Sequence, residues 1–187
     1  DGTAASTDKS VTLTFNTNYG TNVPTYTGTG AAMKANTGYG FKEWAEINPT
    51  TGAVVRTISD SSLRGERVTA ARTFKAIWEP RSGYTIVYNT NGGAPAVPSQ
   101  QVTWNAVIDN VMPAGAKTGQ AKQGYDFAGW YTKDDFSDTR IDGSGKTFEQ
   151  AIAQAGITVE GDGTATLTLY ALSLIHISEP TRRTPIS

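Results

Sequence analysis

The sequence predicts an α+β fold, mainly β, built as two tandem small modules. Three observations predict it: three blocks of sequence recur in the same order, the first block of each copy alternates apolar with polar residues, and one interval between blocks carries helix signals. Val11-Thr-Leu-Thr-Phe-Asn-Thr-Asn-Tyr-Gly20 returns as Tyr84-Thr-Ile-Val-Tyr-Asn-Thr-Asn-Gly-Gly93. Gly38-Tyr-Gly-Phe-Lys-Glu-Trp44 returns as Gly124-Tyr-Asp-Phe-Ala-Gly-Trp130, and Thr73-Phe-Lys-Ala-Ile77 as Thr168-Leu-Tyr-Ala-Leu172. The offset grows from 73 residues between Val11 and Tyr84, to 86 between Gly38 and Gly124, to 95 between Thr73 and Thr168, so the second copy carries two insertions. Fixed blocks separated by variable lengths place the insertions in surface connections.

The first block reads as a half-buried strand, with Val11, Leu13 and Phe15 on one side and Thr12, Thr14 and Asn16 on the other. Asn91-Gly92-Gly93, and less cleanly Asn18-Tyr19-Gly20, accept the positive φ that a tight hairpin turn needs. The next extended stretch in the second copy is Gln100 to Trp104. In the middle block Tyr125 and Phe127 share a strand face, and Trp130 has the opposite parity unless the chain bulges. Gly129 suits a bulge, while the first copy has Glu43 there.

A helix is predicted over Thr147 to Ala155. Thr147 and Gln150 fit a capping box, Phe148 and Ile152 form an i,i+4 apolar pair, and Gly156 terminates it. Ser59 to Arg67 fills the corresponding interval of the first copy, where helix and loop both remain open. Glu79-Pro80-Arg81-Ser82-Gly83 is a short polar linker stiffened by its proline. The expected boundaries are 1–10 as disordered or linker sequence, 11–80 as the first module and 84–171 as the second.

Composition narrows the chemistry. A net charge of -1 with interspersed signs offers no basic face to nucleic acid or anionic lipid. There is no cysteine, and the single histidine lies in a C-terminal segment expected to be non-native, so the usual residues of thiol, zinc-thiolate and histidine general-base mechanisms are missing. No apolar run approaches the roughly 20 residues of a membrane-spanning helix, and no signal peptide opens the chain. No cofactor is expected, and the fragment is expected to be monomeric.

That histidine, His176, lies in Leu172 to Arg182, LSLIHISEPTR, which resembles one translated frame of a sequencing adapter. Residues 172–187 are therefore expected to be a non-native tail on a metagenomic reading frame. With Asp1 in place of methionine, the natural protein is expected to continue beyond the fragment. Leu174, Ile175 and Ile177 have strand propensity whatever their origin and are expected to prolong the closing strand.

The strand followed by Asn-Gly-Gly, Gly-Tyr-x-Phe-x-Gly-Trp at 124 to 130 and Thr-Leu-Tyr-Ala at 168 to 171 resemble the internalin B-repeat family, also called the Listeria-Bacteroides repeat. The resemblance covers about 160 residues. It implies two tandem β-grasp, ubiquitin-like modules, each an open sheet with a short helix. In the family the closing strand runs on to a tryptophan, which the first copy has as Trp78 and the second replaces with Ser173.

Candidate sites are few. Asp134, Asp135, Asp138 and Asp142 crowd one loop beside Gly143 and invite a calcium reading, but their spacing misses the EF-hand pattern, and an acidic loop lacks the facing carboxylates of a glycosidase. A solvated loop is the simpler reading. Tyr39, Trp44, Tyr125 and Trp130 recur at matching positions, which favours core packing over sugar stacking. With Phe15, Phe41, Tyr88 and Phe127 they are expected to be buried. Trp104 has no counterpart and, with Tyr131, is the candidate ligand contact. Arg64-Gly65-Glu66 is read as a turn. No catalytic, cofactor-binding or metal residue is assigned.

The resemblance implies a non-catalytic stalk or spacer of a large, exported bacterial surface protein, cell-wall associated, that touches a host or neighbouring-cell protein or glycan. The alternative is a carbohydrate- or protein-binding module that uses exposed aromatics.

Overall fold

The computed structural model describes residues 12–15, 21–22, 36–160 and 163–175, and for 12–15, 21–22 and Val68 the backbone alone. The fold is α+β and mainly β, as the sequence predicts. The chain divides into two compact units, Asp1–Arg81 with Glu160–Gly163, and Ser82–Val159 with Thr164–Ser187.

In the first unit the strands are β1 (Thr12–Phe15), β2 (Thr21–Asn22), β3 (Tyr39–Ile47), β4 (Val54–Ile58), β5 (Arg67–Val68) and β6 (Arg72–Pro80). One sheet has the order β1-β6-β3-β4, and β2 pairs with β5 in a second, two-stranded sheet. Helix α1 (Asp60–Arg64) follows β4; the Ser59 hydroxyl caps it by accepting the Ser62 N–H, which is why the interval left open in the sequence becomes a helix. The core gathers Trp44, Ile58, Leu63, Phe74 and Ala76, with Phe41 and Trp78 packed against it. Phe41 lies 5.2 Å from Trp44 and 5.7 Å from Trp78, ring centre to ring centre.

The second unit contains β7 (Tyr84–Asn89), β8 (Gln100–Val102), helices α2 (Ile108–Val111) and α3 (Ala114–Lys117), β9 (Tyr125–Tyr131), α4 (Phe148–Ala155) and β10 (Thr166–Ile175). Its sheet has the order β8-β7-β10-β9, with β7 parallel to β10. Helix α4 matches its sequence signals: both halves of the Thr147–Gln150 capping box are formed, and Gly156 takes the left-handed cap at φ 72°. Phe148, Ala151 and Ile152 face the core with Tyr84, Ile86, Leu167, Leu169 and Trp130. The short helices α2 and α3, within the first insertion, had no predicted counterpart.

The middle block bulges in both units. Across β9 and β10, Leu172 faces Gly129 and Ser173 faces Phe127, so Ala128 is the extra residue. Across β3 and β6, Ile77 faces Glu43 and Trp78 faces Phe41, so Lys42 is extra. The added residue flips the parity and turns Trp44 (1% exposed) and Trp130 (0%) inward opposite Ala76 and Ala171. Gly129 sits at φ 137°, whereas Glu43 makes its bulge without positive φ.

Several expectations are corrected. Tyr125 is 37% exposed, with the Lys122 ammonium 4.7 Å above its ring; it lies at the free end of β9, opposite exposed Ile175. Phe41 and Phe127 are half-buried. Asn91 and Gly92 do form a turn at φ 49° and 82°, closed by the Gly93 N–H on the Thr90 carbonyl at 2.9 Å. The turn is not a tight hairpin, because β8 begins at Gln100. The units differ at their first strand: β7 is parallel to β10, but β1 is antiparallel to β6. A period-two pattern reads the same in either direction, so alternation does not encode strand polarity. Residues 1–10, the Asn18-Tyr19-Gly20 turn, the Phe15 side chain and residues 176–187 lie outside the described residues.

Candidate ligand-binding surface

Trp104 is buried rather than exposed. It is 5% exposed, and its ring lies 5.1 Å from Tyr84 and 6.0 Å from Phe148. Placed just after β8, it fills the space between that edge strand and α4, and the Glu149 N–H donates to its carbonyl. Absence of a counterpart in the first copy reflects a larger core around a longer helix, not exposure.

Tyr131 occupies a different environment. It follows Trp130 on β9 and so points to the opposite face of the sheet. Tyr170 of β10 lies directly across from it, which puts both phenols on that face. Phe136 completes the row, its ring edge-on to Tyr131 at 5.6 Å. All three are half-buried. Phe136 is held at φ 56°, a left-handed conformation costly for a bulky residue and kept only where surrounding contacts enforce it.

The acidic loop supplies those contacts. Asp138 closes its base, accepting from the Thr132 N–H at 3.0 Å, from the Thr132 hydroxyl and from Gln154 at 2.8 Å. Burial opposes the charge on Asp138, but these hydrogen bonds outweigh it and lower its pKa. Asp142 accepts the Trp130 N–H at 2.6 Å and pairs with Arg140. Asp135 accepts the Ser137 N–H at 2.9 Å, which lowers its pKa. Asp135, Asp138 and Asp142 are thus engaged with backbone N–H groups of their own unit. Among the described residues no three His, Cys, Asp or Glu side chains are grouped to hold a metal ion.

In the first unit the charged groups also satisfy one another. Arg56 bridges Glu46 (2.8 Å) and Glu66 (3.0 Å), and Arg72 pairs with Glu46 and with Glu66 (2.9 Å). Arg72 lies 5.1 Å from the centre of the buried Phe74 ring, so the square of charges closes one end of the core. The Arg56 guanidinium, then Arg72, draws Glu66 down to about 2; Glu46 is lowered chiefly by its hydrogen bond to Arg72. Arg64-Gly65-Glu66, read as a turn, begins inside a helix: Arg64 is the last residue of α1 and pairs with Asp60 at 2.7 Å, and Gly65 caps it. No single residue type in the sequence signals this network, because its members are brought together by strand register and a loop.

Among the described residues no helix is long and apolar enough to cross a membrane. No curated protein and no solved structure matches the chain. Residues 84–171 match the family model described as the Listeria-Bacteroides repeat domain, a family associated with bacterial surface proteins. The matched segment holds the Gly-Tyr-x-Phe-x-Gly-Trp bulge and the closing strand of the second unit, so 84–171 is similar to a Listeria-Bacteroides repeat domain.

Proposed function

We propose that the chain is a pair of non-catalytic repeat modules, 11–80 and 84–171, the second a β-grasp variant, from a cell-wall-associated bacterial surface protein. They act as a stalk that holds another domain away from the envelope and meets a host or neighbouring-cell protein or glycan. One observation carries the pairing: Phe-bulge-Trp packs in the same register in both units, Trp44 on Ala76 and Trp130 on Ala171, with Phe41 facing Trp78 and Phe127 facing Ser173. The parallel β7–β10 pair with α4 across the connection supports a β-grasp in the second unit. Carboxylates spent on backbone N–H groups support a non-catalytic role. The test is mild trypsin treatment of intact cells expressing the full-length gene. Peptides from 84–171 should be released without lysis; release after lysis alone overturns the reading.

The aromatic row of Tyr131, Tyr170 and Phe136 favours a second reading, in which the second module binds a saccharide by stacking. Titration calorimetry against a panel of cell-surface oligosaccharides tests it. Binding that Tyr131→Ala abolishes would support it, and no binding by the unaltered chain would remove it.

A further inference from the structure

Where β7 ends, a side chain carries its ladder one step further. The parallel pairing of β7 with β10 stops at Asn89 opposite Tyr170, and the next carbonyl of β10, that of Ala171, accepts the Asn91 Nδ2–H at 2.8 Å. Asn91 stands at φ 49° and Gly92 at φ 82°, both exposed. Two further bonds hold Asn91 in the turn: its N–H donates to the Asn89 Oδ1 at 3.0 Å, and the Lys122 ammonium donates to its carbonyl at 3.0 Å. Gly92 is left loose. Its N–H makes no hydrogen bond among the described residues, and a Cβ there would meet nothing nearer than the Lys122 Nζ at 3.9 Å.

We propose that Asn91 is a site of spontaneous covalent modification, whose product can no longer hold the closing strand. The Gly92 nitrogen attacks the Asn91 Cγ; the N–Cγ bond forms, the Cγ–Nδ2 bond breaks, and ammonia leaves with the Gly92 amide proton. Water then opens the cyclic imide at either carbonyl and leaves an aspartyl or an isoaspartyl residue at 91. The attack needs a following nitrogen that carries a free proton and no side chain in its path. Asn48 precedes Pro49, which has no N–H. The nitrogens after Asn105 and Asn110 are engaged, Ala106 donating to the Thr103 carbonyl at 3.0 Å and Val111 to that of Val107 at 3.3 Å. Asn36 and Asn89 precede β-branched threonines. Of the asparagines whose side chains are described, Asn91 alone meets both conditions. While its Nδ2 is bound to Ala171 the carboxamide is turned toward β10, so ring closure waits on local openings of this clamp. The product cannot remake it. A carboxylate has no proton to give and would set its charge against the Ala171 carbonyl oxygen, and the isoaspartyl form also lengthens the main chain by one carbon. The change is one-way, and each modified copy loses the tie between this turn and β10. The inference holds whether or not the modules serve as a stalk.

Ageing of the whole chain at mildly alkaline pH, followed by tryptic digestion, reads the modification in one peptide, because 82–117 has no internal lysine or arginine and carries Asn89, Asn91, Asn105 and Asn110. Fragment masses should place the exchange of NH2 for OH at Asn91 first, and an isoaspartyl methyltransferase should label the same residue. Conversion should run about tenfold slower in the folded chain than in urea, the order expected of two hydrogen bonds that opening breaks. Asn91→Asp, which makes the aspartyl product directly, should lower the urea midpoint of the second unit. Asn89→Asp should leave it unchanged, since a carboxylate accepts the Asn91 N–H as the amide does. Conversion at Asn105 or Asn110 ahead of Asn91, a folded chain that never converts, equal rates with and without urea, or an unaltered midpoint in Asn91→Asp would each overturn the inference.

Discussion

At the residue scale the chain depends on a few side chains placed by backbone geometry. Gly129 works at φ 137°, and a Cβ there would meet the Arg140 side chain at 2.5 Å. Arg140 is exposed and can swing aside, but the dihedral cannot be relieved without undoing the bulge. Gly129→Ala should therefore destabilise the second unit by about 1–3 kcal/mol, read as a lower urea midpoint. Glu43→Ala, at the same place in the first unit, should change little, and an equal loss in both variants would refute the dihedral argument. Tyr88 offers the opposite case. It is 7% exposed, its hydroxyl is buried without a hydrogen-bond partner among the described residues, and burial pushes its pKa up to about 12. Removing an unsatisfied buried hydroxyl relieves a desolvation cost, so Tyr88→Phe should stabilise by about 1 kcal/mol. A clear loss of stability would show that the hydroxyl has a partner.

Among the elements, the charged square joins β3, β4, β6 and Glu66, two residues past the end of α1. Isolated exposed ion pairs contribute little, but here four groups share their partners, and Arg72 and Glu46 are only 16% and 15% exposed. Both glutamates have folded pKa values below the ordinary 4.5, Glu66 near 2. A depressed carboxylate pKa contributes stability that is present above about 4.5 and lost as the pH falls through the folded value. The first unit should thus lose urea resistance between about pH 4.5 and about pH 2. Arg72→Met should flatten that slope, and so should 1 M salt, which screens partly exposed charges (about 3 Å Debye length). A slope unchanged in Arg72→Met would mean that other carboxylates carry the acid response.

On the scale of the whole molecule, the closing strand of the second unit carries a defect that the first lacks. Trp78 packs edge-on against Phe41, whereas Ser173, facing Phe127 at the matching register, buries a hydroxyl without a partner among the described residues. Ser173→Trp should add apolar burial worth roughly 1–3 kcal/mol. With separate cores on either side of Arg81, the gain should appear in the transition of the second unit alone. A rise in a single shared transition would show that the units unfold as one.

Much of this was legible in the sequence for a physical reason: it is local. The capping box at Thr147, the left-handed Gly156, the Asn91-Gly92 turn and the need for a bulge before Trp130 each depend on residues within a turn or two of chain. The buried tryptophans were legible because a small module must hide its largest side chains. Long-range geometry decided the rest. Strand polarity is invisible to a period-two pattern, so β1 and β7 could share a sequence and differ in direction. Trp104 looked unattached until the fold set it between Tyr84 and Phe148. The aspartates, close in sequence, read as a solvated loop; only the sheet supplied the Trp130 and Thr132 N–H groups that Asp142 and Asp138 accept. That the acidic loop covers the outer edge of β9 follows from the same placement, since an edge exists only once the strands beside it are paired.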